Sequence, residues 1–112
     1  MTFYVLCRTS EILEGELKQF VLKGVEILVV KYDGQIYCLQ ARCTHAGAPL
    51  VEGELKDDVL QCPWHGSRFS IKNGLLVRGP AQKPLRSYNC TVEGERLLVE
   101  LQPSELLGDQ FR

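Results

Sequence analysis

Short β-prone runs joined by glycine-containing pairs run through this chain, and they leave few folds open to it. "EILVVKYDGQIYCLQA" places two such runs around Asp33-Gly34, a dipeptide that favours the tight turn of a hairpin. "RSYNCTVEGERLLVEL" repeats the arrangement around Glu93-Gly94. There Tyr88, Cys90 and Val92 alternate on one side, and Leu97, Val99 and Leu101 on the return. "RFSIKNGLLVRG" forms a third hairpin, turning at Asn73-Gly74, and "TFYVLCR" and "KQFVLK" are further short strands. "SELLGDQFR" fits one helical turn, capped by Ser104 after Pro103. Many short strands with turns between them predict an all-β fold, a small sandwich or barrel-like structure. The 112 residues suit a single domain.

Two segments break the strand pattern. "RCTHAGAPL" (42–50) and "QCPWHGSRF" (61–69) are rich in Gly, Pro, Cys and His, and both lie between strand-like runs, as loops do. They look related. Each has a cysteine, a histidine very soon after it, and then a glycine: His45 then Gly47, His65 then Gly66. These are the only two histidines in the chain, and each lies within three residues of a cysteine. A metal site needs this combination, because thiolate and imidazole are the donors that soft and borderline metals take.

The rest of the chain excludes several alternatives. Formal net charge is −1, so bulk charge does not drive nucleic-acid binding. No apolar run approaches the roughly 20 residues of a membrane span, and the first residues lack the features of a signal peptide. Five cysteines, an odd number with no secretion signal, argue against a disulfide scaffold. The expectation is a soluble, cytoplasmic monomer with neither nucleic acid nor membrane as partner. Cys7, Cys38 and Cys90 lie in strand-like runs and are expected to be buried small apolar residues. Charge is unevenly spread. Arg68, Lys72, Arg78, Lys83 and Arg86 stand in a stretch without acids, just after Glu52, Glu54, Asp57 and Asp58. Such a basic run is either an ordinary solvated surface or a docking face for an acidic partner.

How the ligands are shared out bears on which metal they hold. Zinc takes two thiolates and two imidazoles, but its usual spacing puts a cysteine pair first and a histidine pair later. Here each loop gives one of each, Cys43-x-His45 and Cys62-x-x-His65, with sixteen residues between. A [2Fe–2S] cluster accounts for that division, with Cys43 and Cys62 on one iron and His45 and His65 on the other. A structural zinc module is the remaining alternative.

"CTHAG" followed by "CPWHGSRF" resembles the Rieske [2Fe–2S] family, and the flanking β pattern agrees over most of the chain. The resemblance implies one Rieske domain over 1–112, with a cluster-binding lobe at about 41–72 on a β-sandwich-like base. It implies Cys43, His45, Cys62 and His65 as ligands of one [2Fe–2S] cluster, and no catalytic residues. A third loop normally covers the cluster, and "RGPAQKP" (78–84) is its counterpart. Gly47, Gly66, Pro49 and Pro63 would shape the ligand loops, and Trp64 would pack the lobe.

Respiratory-type members of the family usually carry an extra cysteine in each loop, joined as a disulfide. Ala48 and Trp64 stand there. Those members also place a Ser and a Tyr after the second histidine to hydrogen-bond sulfur. Ser67 matches the first, but Phe69 replaces the second. The departures point to the ferredoxin-type branch, at the lower end of a class range of roughly −150 to +300 mV. The function implied is a soluble carrier of single electrons from a reductase to an oxygenase or other redox enzyme, not an enzyme itself. A Rieske-like small subunit of a larger enzyme, such as a nitrite reductase, is the competing reading. No Gly-rich dinucleotide fingerprint is present, and both histidines are already used, so no facial triad for mononuclear iron can be built.

Overall fold

A computed structural model describes residues 2–64 and 66–103 of the chain. The helical turn expected over 104–112 lies outside the described residues. Among those described, eleven strands form three antiparallel sheets, as the hairpin signals predict. One sheet has the order β1-β11-β10, from β1 (Thr2–Arg8), β10 (Cys90–Glu93) and β11 (Arg96–Leu101). A second has the order β2-β3-β4-β9, from β2 (Leu17–Leu22), β3 (Val25–Tyr32), β4 (Gln35–Gln40) and β9 (Ser87–Tyr88). The third is a small meander of β5 (Glu54–Lys56), β6 (Val59–Gln61), β7 (Arg68–Ser70) and β8 (Leu76–Arg78).

β3 is the spine of the molecule. Its run Ile27-Leu28-Val29-Val30 is fully buried, which a strand achieves only when both faces are covered. Ile27 and Val29 face one core, with Cys7, Cys38, Tyr88, Leu97, Val99 and Leu101. Leu28 and Val30 face the other, with Cys43, Leu50, Leu60, Cys62, Phe69 and Ile71. The period-2 alternation of strand side chains divides one apolar run between the sandwich interior and the core beneath the meander. The paired cysteines of the two loops therefore belong to a packed core that β3 anchors.

The turns differ in detail from expectation. Asp33 and Gly34 both take positive φ (52° and 78°), the backbone of the favoured two-residue hairpin. The final hairpin turns at Gly94-Glu95, because Glu93 still pairs with Arg96. Asn73-Gly74 lies inside a five-residue connection between β7 and β8, in which the Asn73 side chain accepts the Leu75 N–H at 3.0 Å. The stretch around Asn89 divides between two sheets. Tyr88 pairs with Cys38 of β4, whereas Cys90 pairs with Val99 of β11. Along it Tyr88 is buried, Cys90 half-buried and Val92 half-exposed, so the expected inward face fades toward the turn. No helix of the described residues is long and apolar enough to cross a membrane.

Candidate metal centre

The two ligand-bearing loops share one shape. In the first, the Cys43 N–H donates to the Ala48 carbonyl, five residues on, at 2.9 Å. In the second, the Cys62 N–H donates to the Ser67 carbonyl, also five residues on, at 2.7 Å. The residue four after each cysteine is a glycine of positive φ, Gly47 at 76° and Gly66 at 77°. Neither turn closes easily with an L side chain at that place, so both glycines shape the loops as expected. Ala48 and Ser67, which end the two loops, are each fully buried.

Neighbouring elements fix the loops. The first leaves β4 and is stapled at its base by Arg42, which pairs with Glu26 of β3 at 2.8 Å and donates to the Gly47 carbonyl at 3.1 Å. The second joins β6 to β7, so the meander holds both its ends. The result brings Cys43 and Cys62 side by side, 3% and 2% exposed, as free thiols in mutual side-chain contact. Burial pushes the Cys43 thiol up, while the backbone N–H groups of His45 and Ala46, which point at its sulfur, pull it back. Peptide N–H groups aimed at a buried sulfur suit a thiolate, the form that binds metal.

His45 is exposed. It shares a cavity of about 370 Å³ with Thr44, Pro80, Gln82 and Lys83. Segment 78–84 therefore lies against the first ligand loop, where the sequence put the covering loop. The fourth expected ligand, His65, lies outside the described residues. No group of three His, Cys, Asp or Glu poised around a single ion occurs among the described residues.

The profile of the Rieske [2Fe-2S] domain matches residues 2–89. The chain belongs to the Rieske family. It is 33% identical over 102 residues to the ferredoxin component of biphenyl 2,3-dioxygenase from Rhodococcus jostii, spanning 91% of this chain and 95% of that protein. It is also 32% identical over 101 residues to human apoptosis-inducing factor 3, covering 90% of this chain but only 17% of that much longer protein. Among solved structures, the ferredoxin of carbazole 1,9a-dioxygenase from Nocardioides aromaticivorans superposes with a TM-score of 0.84 at 27% identity. That match covers 91% of this chain and all of the other.

Other residues of this Rieske chain stand apart from expectation. Trp64 does not pack the lobe: it is 56% exposed, directly after the proline of the second loop. Several cations of the basic run are engaged by neighbours. Lys72 pairs with Asp58 at 3.7 Å, the Arg68 Nε donates to Gln61 at 3.1 Å, and the Arg86 guanidinium lies 4.7 Å from the Tyr88 ring centre. Of the five cations, Lys83 is the one that shares the cavity with His45. Cys7 and Cys38 are buried in the sandwich core, as expected, and half-buried Cys90 packs against it with its Sγ 3.5 Å from the Ile36 carbonyl. Nothing in the residue pattern marks what holds segment 78–84. The Thr44 hydroxyl donates to the Lys83 carbonyl at 2.7 Å, and the Ser67 hydroxyl accepts the Ala81 N–H at 3.0 Å.

Proposed function

We propose that this chain carries single electrons between a reductase and an oxygenase or other redox enzyme, on a Rieske-type [2Fe–2S] cluster held by Cys43, Cys62, His45 and His65. The observation that carries the reading is the buried, unbridged pair Cys43 and Cys62, brought into contact by two loops of one shape. The residues fit the group. Two soft thiols meet with peptide N–H groups aimed at sulfur, and an imidazole stands at the solvent-facing side. A cluster so held takes up and gives back one electron.

The chain's own residues supply the remaining functions. The core around Cys43 and Cys62, with Phe69 and Leu60, keeps water from the thiolate side. His45, being exposed, offers the short route for an electron to a docked partner. Two neutral imidazoles in place of thiolates leave less negative charge to oppose reduction. Phe69, by contrast, withholds a hydrogen bond that would raise the potential further. We place the midpoint potential below about +200 mV, in the lower part of the class range.

Support for the carrier role comes from relatives named as ferredoxin components of dioxygenase systems, two of them matched over nearly their whole length. In this reading the protein is a cytoplasmic monomer, and the reaction it serves is catalysed elsewhere. The three cysteines outside the metal centre, Cys7, Cys38 and Cys90, form no disulfide, which accords with a reducing compartment.

The test is anaerobic reconstitution followed by iron and sulfide analysis, redox titration and EPR of the reduced form. Two irons and two sulfides per chain, with the signal of a histidine-ligated cluster, are expected. A colourless protein retaining one zinc ion would sink the reading.

A further inference from the structure

Two hydroxyls, one from each ligand loop, reach the same third segment. Thr44 follows Cys43 directly, and its Oγ1 donates to the Lys83 carbonyl at 2.7 Å. Ser67 closes the second loop, is fully buried, and accepts the Ala81 N–H at 3.0 Å. Their backbone partners, the Lys83 carbonyl and the Ala81 N–H, are only two residues apart, so a short stretch of backbone ties together two loops with no disulfide between them.

That stretch is well anchored behind. Ala81 and Leu85 are both 3% exposed and belong to the core that contains Cys43 and Cys62. The Leu85 N–H donates to Gly74 at 2.8 Å, and Arg86 exchanges two hydrogen bonds with Gln40 of β4, at 3.0 and 2.8 Å. Pro80 and Pro84 restrict the segment further. Only its outer side, where Pro80, Gln82 and Lys83 meet Thr44 and His45, borders the open cavity.

We propose that Thr44 and Ser67 are positioning residues that lock segment 78–84 across both ligand loops, so that a hydrogen-bonded brace keeps the metal centre closed where no disulfide joins positions 48 and 64. The proposal rests on the reading of Cys43 and Cys62 as cluster ligands. Its physical content is a single opening event. For solvent or a chelator to reach the thiolate side past this segment, both hydroxyl contacts break together.

The variants are Thr44→Val, Ser67→Ala, their combination, and Thr44→Ser, which keeps the hydroxyl. In the reconstituted protein, the readout is the rate of iron release to excess chelator, followed by loss of visible absorbance. One hydrogen bond contributes enough to change an opening equilibrium about 5-fold. Each loss should therefore speed release by about that factor, and the double loss by about the product, roughly 25-fold. Thr44→Ser should restore the wild-type rate. Rates in the double variant that merely equal the sum of the single effects would mean two separate openings, and unchanged rates would mean no brace. Either result overturns the proposal.

A second readout needs no cluster. In the chain before iron is added, the Ala81 amide should exchange with solvent faster in Ser67→Ala and also in Thr44→Val, which does not touch that amide. Protection at Ala81 indifferent to Thr44 would overturn the coupling. A chain that takes up no iron and sulfide would end the cluster reading, while the exchange experiment would still decide the brace. Should Ser67→Ala fail to fold, Thr44→Val and Thr44→Ser decide between them, since Thr44 is only half-buried.

Discussion

Cys43 and Cys62 stand at the same position in two loops of one shape, each closed by an N–H bond to the residue five places on, and the two thiols meet in the core. A glycine of positive φ four residues after each cysteine makes that shape. A Cβ at Gly47 meets nothing within 4 Å, and one at Gly66 only reaches Gln61 Nε2 at 4.0 Å. Substitution there costs backbone strain alone. Gly47→Ala and Gly66→Ala should each lose about 1–2 kcal/mol. Gly74→Ala should lose more, because its Cβ would sit 2.3 Å from the Leu85 carbonyl oxygen in addition to the positive φ of 76°. Urea denaturation of the three variants checks the order. Equal losses at Gly47 and Gly74 would defeat the steric argument.

Phe69 lies on β7 between Leu60 and Leu76 and shares a core with both cysteines. Phe69→Tyr introduces a hydroxyl into that core with almost no change of shape. A donor reaching a cluster or ligand sulfur favours the reduced form, so the midpoint potential should rise by some tens of millivolts. Redox titration of both proteins tests this. A midpoint that stays put while thermal stability falls would place the new hydroxyl among apolar neighbours only. A buried hydroxyl without a partner costs about 1–3 kcal/mol.

How much of this was legible in the chain depends on which force set each feature. Asp33-Gly34 announced its hairpin because both residues accept positive φ and the flanking runs are long enough to show their pattern. Lys23-Gly24 makes a similar turn, with Lys23 at φ 53°, but a lysine carries no such signal. The β5–β6 hairpin turns at Asp57-Asp58 with strands of three residues, too short for alternation to show through their charges. The change of sheet at Asn89 leaves no mark in the periodicity, since a strand alternates in the same way whichever partner it bonds. At the site, the Cys and His types announced themselves because few other roles need them so close together. The contacts of Thr44 and Ser67 with segment 78–84 did not. Their acceptor and donor are backbone groups, which look alike at every residue, and only the tertiary fold selects them. Trp64 defied the rule that large aromatics pack inside, and its exposure beside the second ligand loop suits a surface that meets other proteins.

Stability should fall on the alkaline side, through thiols that the metal centre does not use. Burial, helped by Glu11, pushes the Cys7 thiol from 9.0 up to about 11. Cys38 is raised as well, by its contact with Cys90 and by burial. Between pH 9 and about 11 the unfolded chain has released the Cys7 proton, while the folded chain still holds it. The unfolded state then binds fewer protons, so the free energy of unfolding declines as pH rises. The stabilisation is fully present below pH 9 and is lost on the way through about pH 11. Urea midpoints across this window should drop for the wild type and drop less for Cys7→Ala. Parallel profiles for the two proteins would remove Cys7 as the cause.

Lys83 is the cation placed to act on a partner at the metal centre, because it borders the cavity that contains His45 and its carbonyl is fixed by Thr44. Lys72 belongs to the same basic stretch of sequence, but Asp58 lies 3.7 Å from its ammonium and offsets its field. Steering of an acidic partner should therefore depend on Lys83 and hardly on Lys72. At low salt, Lys83→Glu should slow electron transfer to such a partner about tenfold, and added salt should then speed the variant while slowing the wild type. Lys72→Glu makes the same change of net charge at a position that does not line the cavity with His45, so it should slow the rate much less and shift its salt dependence less. Stopped-flow reduction at increasing ionic strength separates the two. Equal effects of the two charge reversals would mean that net charge steers the partner, and no effect of either would mean that docking is governed by apolar contact around the ligand loops.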